Sequence, residues 1–549
     1  MYSRITSFLL LLLRFAVVFT ALLLSGVKVG YGQGATRTYL EGQKTGDYMP
    51  PPILIYLGPG SANISSPMQR HTSSLLNTFR FFYGPNSILT GSTTHFTRLT
   101  AAQDVGLLGA LGAGANVYIT FRNTNNTILS AGTTTYFKIG QRPTTEGISV
   151  AVGGLLGLVE LQNISGRGYL GATNYSLSGN GSINEGSLSG TVNGTTTRFL
   201  IDDNGEWYIA ITPDENYNSV RLEVKLPDDL RVADIARSVN VNVYNAFIES
   251  VGGACSIAGR YTSPGEATGI TLNTGILGGI ELNQLISNPH YALNNNPEQY
   301  ASYSSGVLNL GVANTVSQTI YFDHTASGHD GVNVRLGLSN DLIGLDLLAL
   351  NGITFSAYRG SSENAVWTGS LGDLANLLGL DLLHLISIGG NHSELNLIFK
   401  PGIEFDRIKI ELNQGLLGIG VLGDALRVYN VTLAPSSPEI TSGYQPTNTT
   451  VCESETASFT VTATVPEGTI TGYQWQYFDG TDWVAAEGTN NKPTYVYPNT
   501  PTSFNGRRYR VRVTGGISGC EQTIYSNEAT LTVTELPGKP HLTITDVNN

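Results

Sequence analysis

The chain has 549 residues, enough for roughly three or four domains, with an ordinary 41% apolar content but only 13% charged residues and 65 glycines. Few charges combined with abundant Gly, Asn, Thr and Ser make poor helix and good strand and turn, and the net charge is −12. This excludes a coiled coil, a helical enzyme and a basic nucleic-acid binder, and Gly plus Pro is too sparse for low-complexity disorder.

Residues 1–32 read as a secretory signal peptide. Arg4 precedes an apolar run from Phe8 to Leu24, and Gly30-Tyr31-Gly32 is a small-x-small exit before Gln33. The run is short and carries Arg14 near its middle, which argues against a membrane anchor. Its removal leaves 27 cations against 42 acids. No later stretch approaches about 20 apolar residues, so no integral membrane span is expected after signal removal. The acidic body disfavours nucleic acid as a partner. The expected location is secreted, extracellular or cell-surface.

An internal repeat organises the next 400 residues or so. The segment from Tyr217 through Val220 and Leu222 to Val224 matches Phe405 through Ile408 and Ile410 to Leu412. Asn242-Val243-Tyr244-Asn245 matches Arg427-Val428-Tyr429-Asn430. Upstream, Leu155–Leu158 matches Leu342–Leu345, and Val117–Phe121 matches Gln318–Phe322. The anchors keep their order, which defines module one (33–250) and module two (256–434). Period-two alternation marks half-buried strands. Arg198 to Thr212 is expected to be a hairpin with a type I′ turn at Asn204-Gly205. Leu374, Leu377, Leu378, Leu382 and Leu385 keep helical spacing, so one helix is expected in 372–387.

From 435 to 536 the alternation is cleaner. Phe459, Val461, Ala463 and Val465 form one apolar face, and Tyr473, Trp475 and Tyr477 another. Tyr509, Val511, Val513, Ala529, Leu531 and Val533 complete the set. About 100 residues of short strands around a central Trp predict an immunoglobulin-like sandwich. The expected fold class is all-β: two tandem jelly-roll sandwiches followed by an Ig-like one. Residues 537–549 read as a linker or the start of a further domain.

These patterns resemble the large secreted surface proteins of Bacteroidetes that string jelly-roll repeats, similar to discoidin or galactose-binding domains, ahead of Ig-like or PKD-like domains. The resemblance rests on Ser287–Pro297, Tyr300–Ser302, Thr319–Phe322, Phe405–Ile410 and Leu426–Tyr429. It implies a fold and an extracellular setting, not a ligand. The turn at Asn294-Asn295-Asn296 offers neutral amides where calcium-holding relatives carry Asp, so no calcium is expected there.

Three cysteines remain. Cys452 and Cys520 share the C-terminal segment and are the natural disulfide pair, closing a loop worth about 4 kcal/mol in the chain-entropy model. Cys255 sits in the Gly-rich link between the modules, and its role stays open. Gly418-x-Gly420-x-x-Gly423 leads into a strand rather than a helix, so a nucleotide-binding loop is not expected. Asp202–Gly205 reads as a turn, and Asp323-His324 and His329-Asp330 flank another. No catalytic, cofactor or metal site is indicated. The favoured function is a non-enzymatic, adhesion-type surface protein. The alternative is carbohydrate binding through jelly-roll loops, with Tyr291, Tyr300 and Trp367 as the aromatics to watch and Tyr303 and Tyr358 as further candidates. A hydrolase with an unrecognised carboxylate pair ranks third. The partner in the first two cases is an extracellular glycan or surface protein.

Overall fold

The computed structural model describes residues 36–42, 70–71, 78–83, 97–104, 116–123, 127–140, 148–150, 164–170, 176–177, 181–182, 189–192, 195–225, 236–250, 257–268, 285–304, 315–339, 350–377, 392–413 and 424–536. The expected signal peptide (1–32), the Gly-Leu-rich segments at 155–158 and 342–345, Cys255, residues 418–423 and 537–549 lie outside these residues. The described chain is all-β apart from short helical turns.

Module one contributes β1 (Thr36–Tyr39), β2 (Thr97–Asp104), β3 (Asn116–Arg122), β4 (Thr135–Gly140), β5 (Ile148–Val150), β6 (Ile164–Leu170), β7 (Thr195–Ile201), β8 (Trp207–Thr212), β9 (Ser219–Lys225), β10 (Ala236–Val243) and β11 (Asn245–Ser250). Module two contributes β12 (Tyr261–Thr262), β13 (Glu266–Thr268), β14 (Ala301–Ser304), β15 (Thr315–Ala326), β16 (Gly331–Ser339), β17 (Ile353–Tyr358), β18 (Trp367–Ser370), β19 (His392–Phe399), β20 (Phe405–Asn413) and β21 (Asp424–Ala434). The repeat is visible in the pairings. The trio β3–β9–β6 has the neighbour order of β15–β20–β17, and β2–β10–β5 that of β14–β21–β16. All these pairs are antiparallel.

The two modules are joined through one sheet. Ile201 of β7 pairs with Thr262 of β12, and β12 pairs with β15. This join continues one sheet across both modules, in the order β1-β11-β4-β8-β7-β12-β15-β20-β17-β18. One face of that sheet is mostly apolar, with Thr135, Thr197, Thr262 and Gln318 as buried polar residues among the apolar ones. Phe137, Phe199, Ile209 and Ile211 of module one belong to the same buried cluster as Ile320, Phe355, Ile408 and Ile410 of module two. Every second residue of a strand faces one way, so a single core spans the repeat, and the two modules form one packing unit.

The β7–β8 hairpin forms as expected, with a different turn. Ile201 and Trp207 are the last pair, leaving five loop residues. Asp202 Oδ1 accepts the amides of Asn204 and Glu206 at 3.0 and 2.9 Å. Only Gly205 has a positive φ, +76°, so this is not a type I′ turn. The Asp side chain organises the loop instead, which is what Asp does well at turn starts. The expected helix is present as α1 (Leu371–Leu377), with the rest of that stretch outside the described residues.

The C-terminal unit has β22 (Thr449–Cys452), β23 (Ala457–Thr460), β24 (Thr469–Phe478), β25 (Trp483–Ala485), β26 (Thr494–Tyr497), β27 (Arg508–Gly516), β28 (Gln522–Tyr525) and β29 (Ala529–Thr534). The sheet β22-β29-β27-β24-β25 covers the β23–β26 pair, and β22 runs parallel to β29. Trp475 is fully buried and donates Nε1–H to Lys492 O at 2.9 Å. Phe459, Tyr495 and Tyr509 surround it. This is an Ig-like sandwich whose inter-sheet centre is aromatic.

The expected Cys452–Cys520 bridge is not formed. Cys452 is a free thiol, while Cys520 is buried and disulfide-bonded. The pairing expectation rested on both residues sharing one segment. Sequence proximity carries no information on where each Cβ points, and that geometry decides a bridge.

Candidate functional site

The inner face of the joined sheet makes the core. Its outer face, made of the alternate residues, is where function can sit. The strands β11, β4, β8, β7, β12 and β15 present Phe247, Tyr136, Tyr208, Arg198, Tyr261 and Tyr321 there, crossing the join. Tyr136 stacks on Phe247 (centroids 5.4 Å apart) and on Tyr261 (5.1 Å). Tyr208 meets Phe247 and Tyr261 edge-on. Arginines cap the rings. Arg37 lies 4.4 Å from the Phe247 centroid, Arg260 5.1 Å from Tyr261, Arg198 5.6 Å from Tyr321 and Arg407 5.2 Å from Tyr358. Offset stacking and cation–π contact suit these electron-rich faces.

Two polar clamps tie the modules together across this face. Glu249, only 6% exposed, accepts from Arg37 Nε at 2.9 Å and from Arg260 Nη2 at 2.7 Å. Arg260 Nε reaches its second oxygen at 3.3 Å. Burial opposes the charge on Glu249, but the hydrogen bonds and charge of Arg260 and Arg37 win and hold its carboxyl below the usual Glu value. The second clamp is a loop carbonyl. Gly360 O accepts from Arg198 of module one at 2.9 Å and from Arg407 of module two at 2.6 Å. Asp406 accepts the Gly360 amide and Arg407 Nη1. Gly360 has φ +60°, a conformation that favours glycine. Burial raises the phenol pKa of Tyr136, Tyr208, Tyr261 and Tyr321, so each stays neutral at physiological pH.

Between the clamps the face is concave. A pocket of about 410 Å³ opens at the join, lined by Tyr136, Arg198, Arg260, Tyr261, Tyr321 and Asp406 among others. Its volume lies within the range of small-ligand sites. Tyr261, 2% exposed, keeps its hydroxyl buried beside Glu249. The lining pairs flat aromatic faces with fixed donors and acceptors.

The aromatics singled out from sequence lie elsewhere and are not brought together in this pocket. Trp367 stacks on Phe399 at 5.1 Å and packs on the main core. Gly369 leaves it room, since a Cβ there would lie 2.8 Å from the indole. Tyr303 is fully buried in the same core, its hydroxyl meeting Gln318 and Ile410 O. Tyr291 lies in the 3-10 turn Pro289–Leu293 against His290. Tyr300 meets Tyr429 and Arg427 on the opposite sheet. Tyr358 alone is on the junction face. The Asn294–Asn296 turn satisfies itself. Asn294 Oδ1 accepts the Asn296 amide, and Asn430 donates to Asn294 O and Asn295 Oδ1. His324 Nδ1 meets Asp323 Oδ1 at 2.6 Å, whereas Asp330 accepts the amides of Ser327 and Ser436 and so ties the turn to the start of the C-terminal segment. Among the described residues no group of three or more His, Cys, Asp or Glu can hold a metal ion.

No known family model matches the chain, and no curated protein matches it. Solved structures with partial likeness include a chimeric titin Z1Z2 carrying a decorin peptide (19% identity, 19% of this chain and 99% of that one, TM-score 0.14). The tandem Ig repeats of Dlar share 15% identity over 24% of this chain and 71% of theirs, with TM-score 0.14. A β-1,2-glucanase from Parabacteroides distasonis shares 11% identity over 40% of this chain and 31% of its own, with TM-score 0.15.

Proposed function

We propose that this chain is an exported, non-enzymatic surface protein of the adhesion type that recognises a carbohydrate at the module junction. One observation carries the reading. The pocket at the join sets partly buried Tyr136 and Tyr321 beside Arg198, Arg260 and Asp406, polar groups whose positions are fixed by other contacts. A sugar ring offers a C–H face for Tyr321 and equatorial hydroxyls for the charged groups. Hydrogen bonds to charged partners are the stronger ones, and preorganised partners reduce the ordering cost of binding. Export, the surface location and the kinship with Bacteroidetes surface proteins rest on the leader-like segment 1–32 and the repeat pattern.

A glycan array probed with the chain from residue 33 onward tests this. Binding to a defined neutral glycan is expected, and Tyr321→Ala or Arg198→Gln should weaken it about tenfold or more. Absence of binding to any glycan sinks the carbohydrate reading. Turnover of the bound glycan sinks the non-enzymatic one.

A further inference from the structure

The Ig-like unit carries a second aromatic and cationic surface, separate from the junction. On β27 the core side chains are Tyr509, Val511 and Val513. The alternate residues Arg508, Arg510 and Arg512 therefore face solvent, at about 6.8 Å intervals along the strand. Neighbouring strands add Phe478, Trp483 and Tyr525 to the same face. Arg510 lies 4.2 Å from the Trp483 centroid and 4.2 Å from that of Tyr525. Its Nε donates to Gln476 Oε1 at 3.0 Å. Arg508 lies 4.3 Å from Phe478 and pairs with Glu528 at 2.8 Å. Among the described residues neither Arg510 nor Arg512 has a carboxylate partner. Tyr525 is 49% exposed. In a chain of net charge −12, this row of three arginines is a local concentration of positive charge, in which only Arg508 forms an ion pair while Glu528 also acts on Arg510 through its charge.

We propose that this face binds an anionic polysaccharide, one whose sugars carry carboxylate or sulfate groups. The stacked rings and Gln476 fix the plane of the Arg510 guanidinium, so its outer edge is presented ready for a bidentate oxyanion. The half-exposed rings of Trp483 and Tyr525 offer sugar-stacking surface beside it. The spacing of Arg510 and Arg512 suits anionic groups carried on successive or alternate sugars. The acidic body repels any polyanion, so binding is confined to this small patch and is strongest at low salt.

The test uses the whole chain from residue 33, with retention on immobilised heparin and on immobilised polygalacturonate at low salt. Retention on at least one polymer is expected, falling as salt rises. The double variant Arg510→Gln/Arg512→Gln should lose about tenfold or more of the affinity, and Trp483→Ala, which leaves the charge unchanged, should also weaken it. Arg198→Gln should leave it unaltered, which separates this face from the junction pocket. The proposal fails if the parent chain binds neither polymer, or if the double variant binds as well as the parent. It fails equally if single-stranded DNA of matched charge binds as tightly. Concentration-dependent self-association abolished by the double variant, without polymer binding, gives this face to a second copy of the chain and also overturns the proposal.

Discussion

Removing the Glu249 carboxylate should destabilise the two modules together and leave the Ig-like unit untouched. Glu249 is nearly buried and is held by Arg37 at 2.9 Å and Arg260 at 2.7 Å. Deleting one partner of a buried ion cluster costs about 3–5 kcal/mol. Both arginines keep 26% side-chain exposure, so water can partly rehydrate them, which places Glu249→Ala at about 2–4 kcal/mol. Glu249→Gln keeps one acceptor and should cost about 1–2 kcal/mol. The assay is urea unfolding at pH 7, followed by fluorescence of Trp207 and Trp367 in the modules and Trp475 and Trp483 in the Ig-like unit. The modules share one core and the Ig-like unit has its own, so two transitions are expected. With a slope of about 3 kcal/mol per M, Glu249→Ala should move the module transition down by about 1 M. The pH dependence has a definite sign. The folded pKa of Glu249 is depressed, so its contribution is complete above the ordinary Glu value of about 4.3 and is lost as pH falls through the lower folded value. The difference between parent and Glu249→Gln should therefore hold from pH 7 to about 5 and shrink only below about 4. Separate transitions for the two modules, or an equal shift of the Ig-like transition, would refute the reasoning.

Glu266 should behave in the opposite way. It is buried, Oε1 has no hydrogen-bond partner, and burial raises its carboxyl pKa despite Lys409 nearby. A raised folded value means stability present at low pH and lost as pH rises through it. Glu266→Gln should thus stabilise the modules by about 1 kcal/mol at pH 7 and change little near pH 3.5, measured by the same unfolding assay. Trp475→Ala should cost the Ig-like transition about 3–5 kcal/mol while the module transition stays in place. Thiol labelling of the native, unreduced chain should modify Cys452 and spare Cys520, read by peptide mass spectrometry.

Strands were legible wherever one face is apolar and the other polar. Ile408, Ile410 and Leu412 against Arg407, Lys409 and Glu411 give β20 directly, and Trp475 between Tyr473 and Tyr477 marks the centre of the Ig-like unit. The repeat was legible because matched strands keep matched neighbours. The joined sheet was not, since one residue pair, Ile201 with Thr262, establishes it, and pairing between distant segments leaves no periodic trace. The polar arrangement at the junction was not legible for a related reason. Period two reads Arg198, Arg407 and Tyr321 as a solvated face, and nothing local says that Arg198 and Arg407 will share one carbonyl from residues 162 and 47 positions away. Of the aromatics that the sequence singles out, Tyr303 is fully buried, while Tyr291, Tyr300, Tyr358 and Trp367 are partly buried, and ring size alone does not separate packing from binding.

The central claim is that ligand binding engages both modules at one site. Amide hydrogen exchange of the chain from residue 33, with and without the best array glycan, measures it most directly. Added protection is expected in peptides covering 133–137 and 197–200 of module one and, at the same glycan concentration, 258–262 and 319–325 of module two. Protection confined to a single module, or centred on Tyr291, Tyr300 or Trp367, would contradict the account.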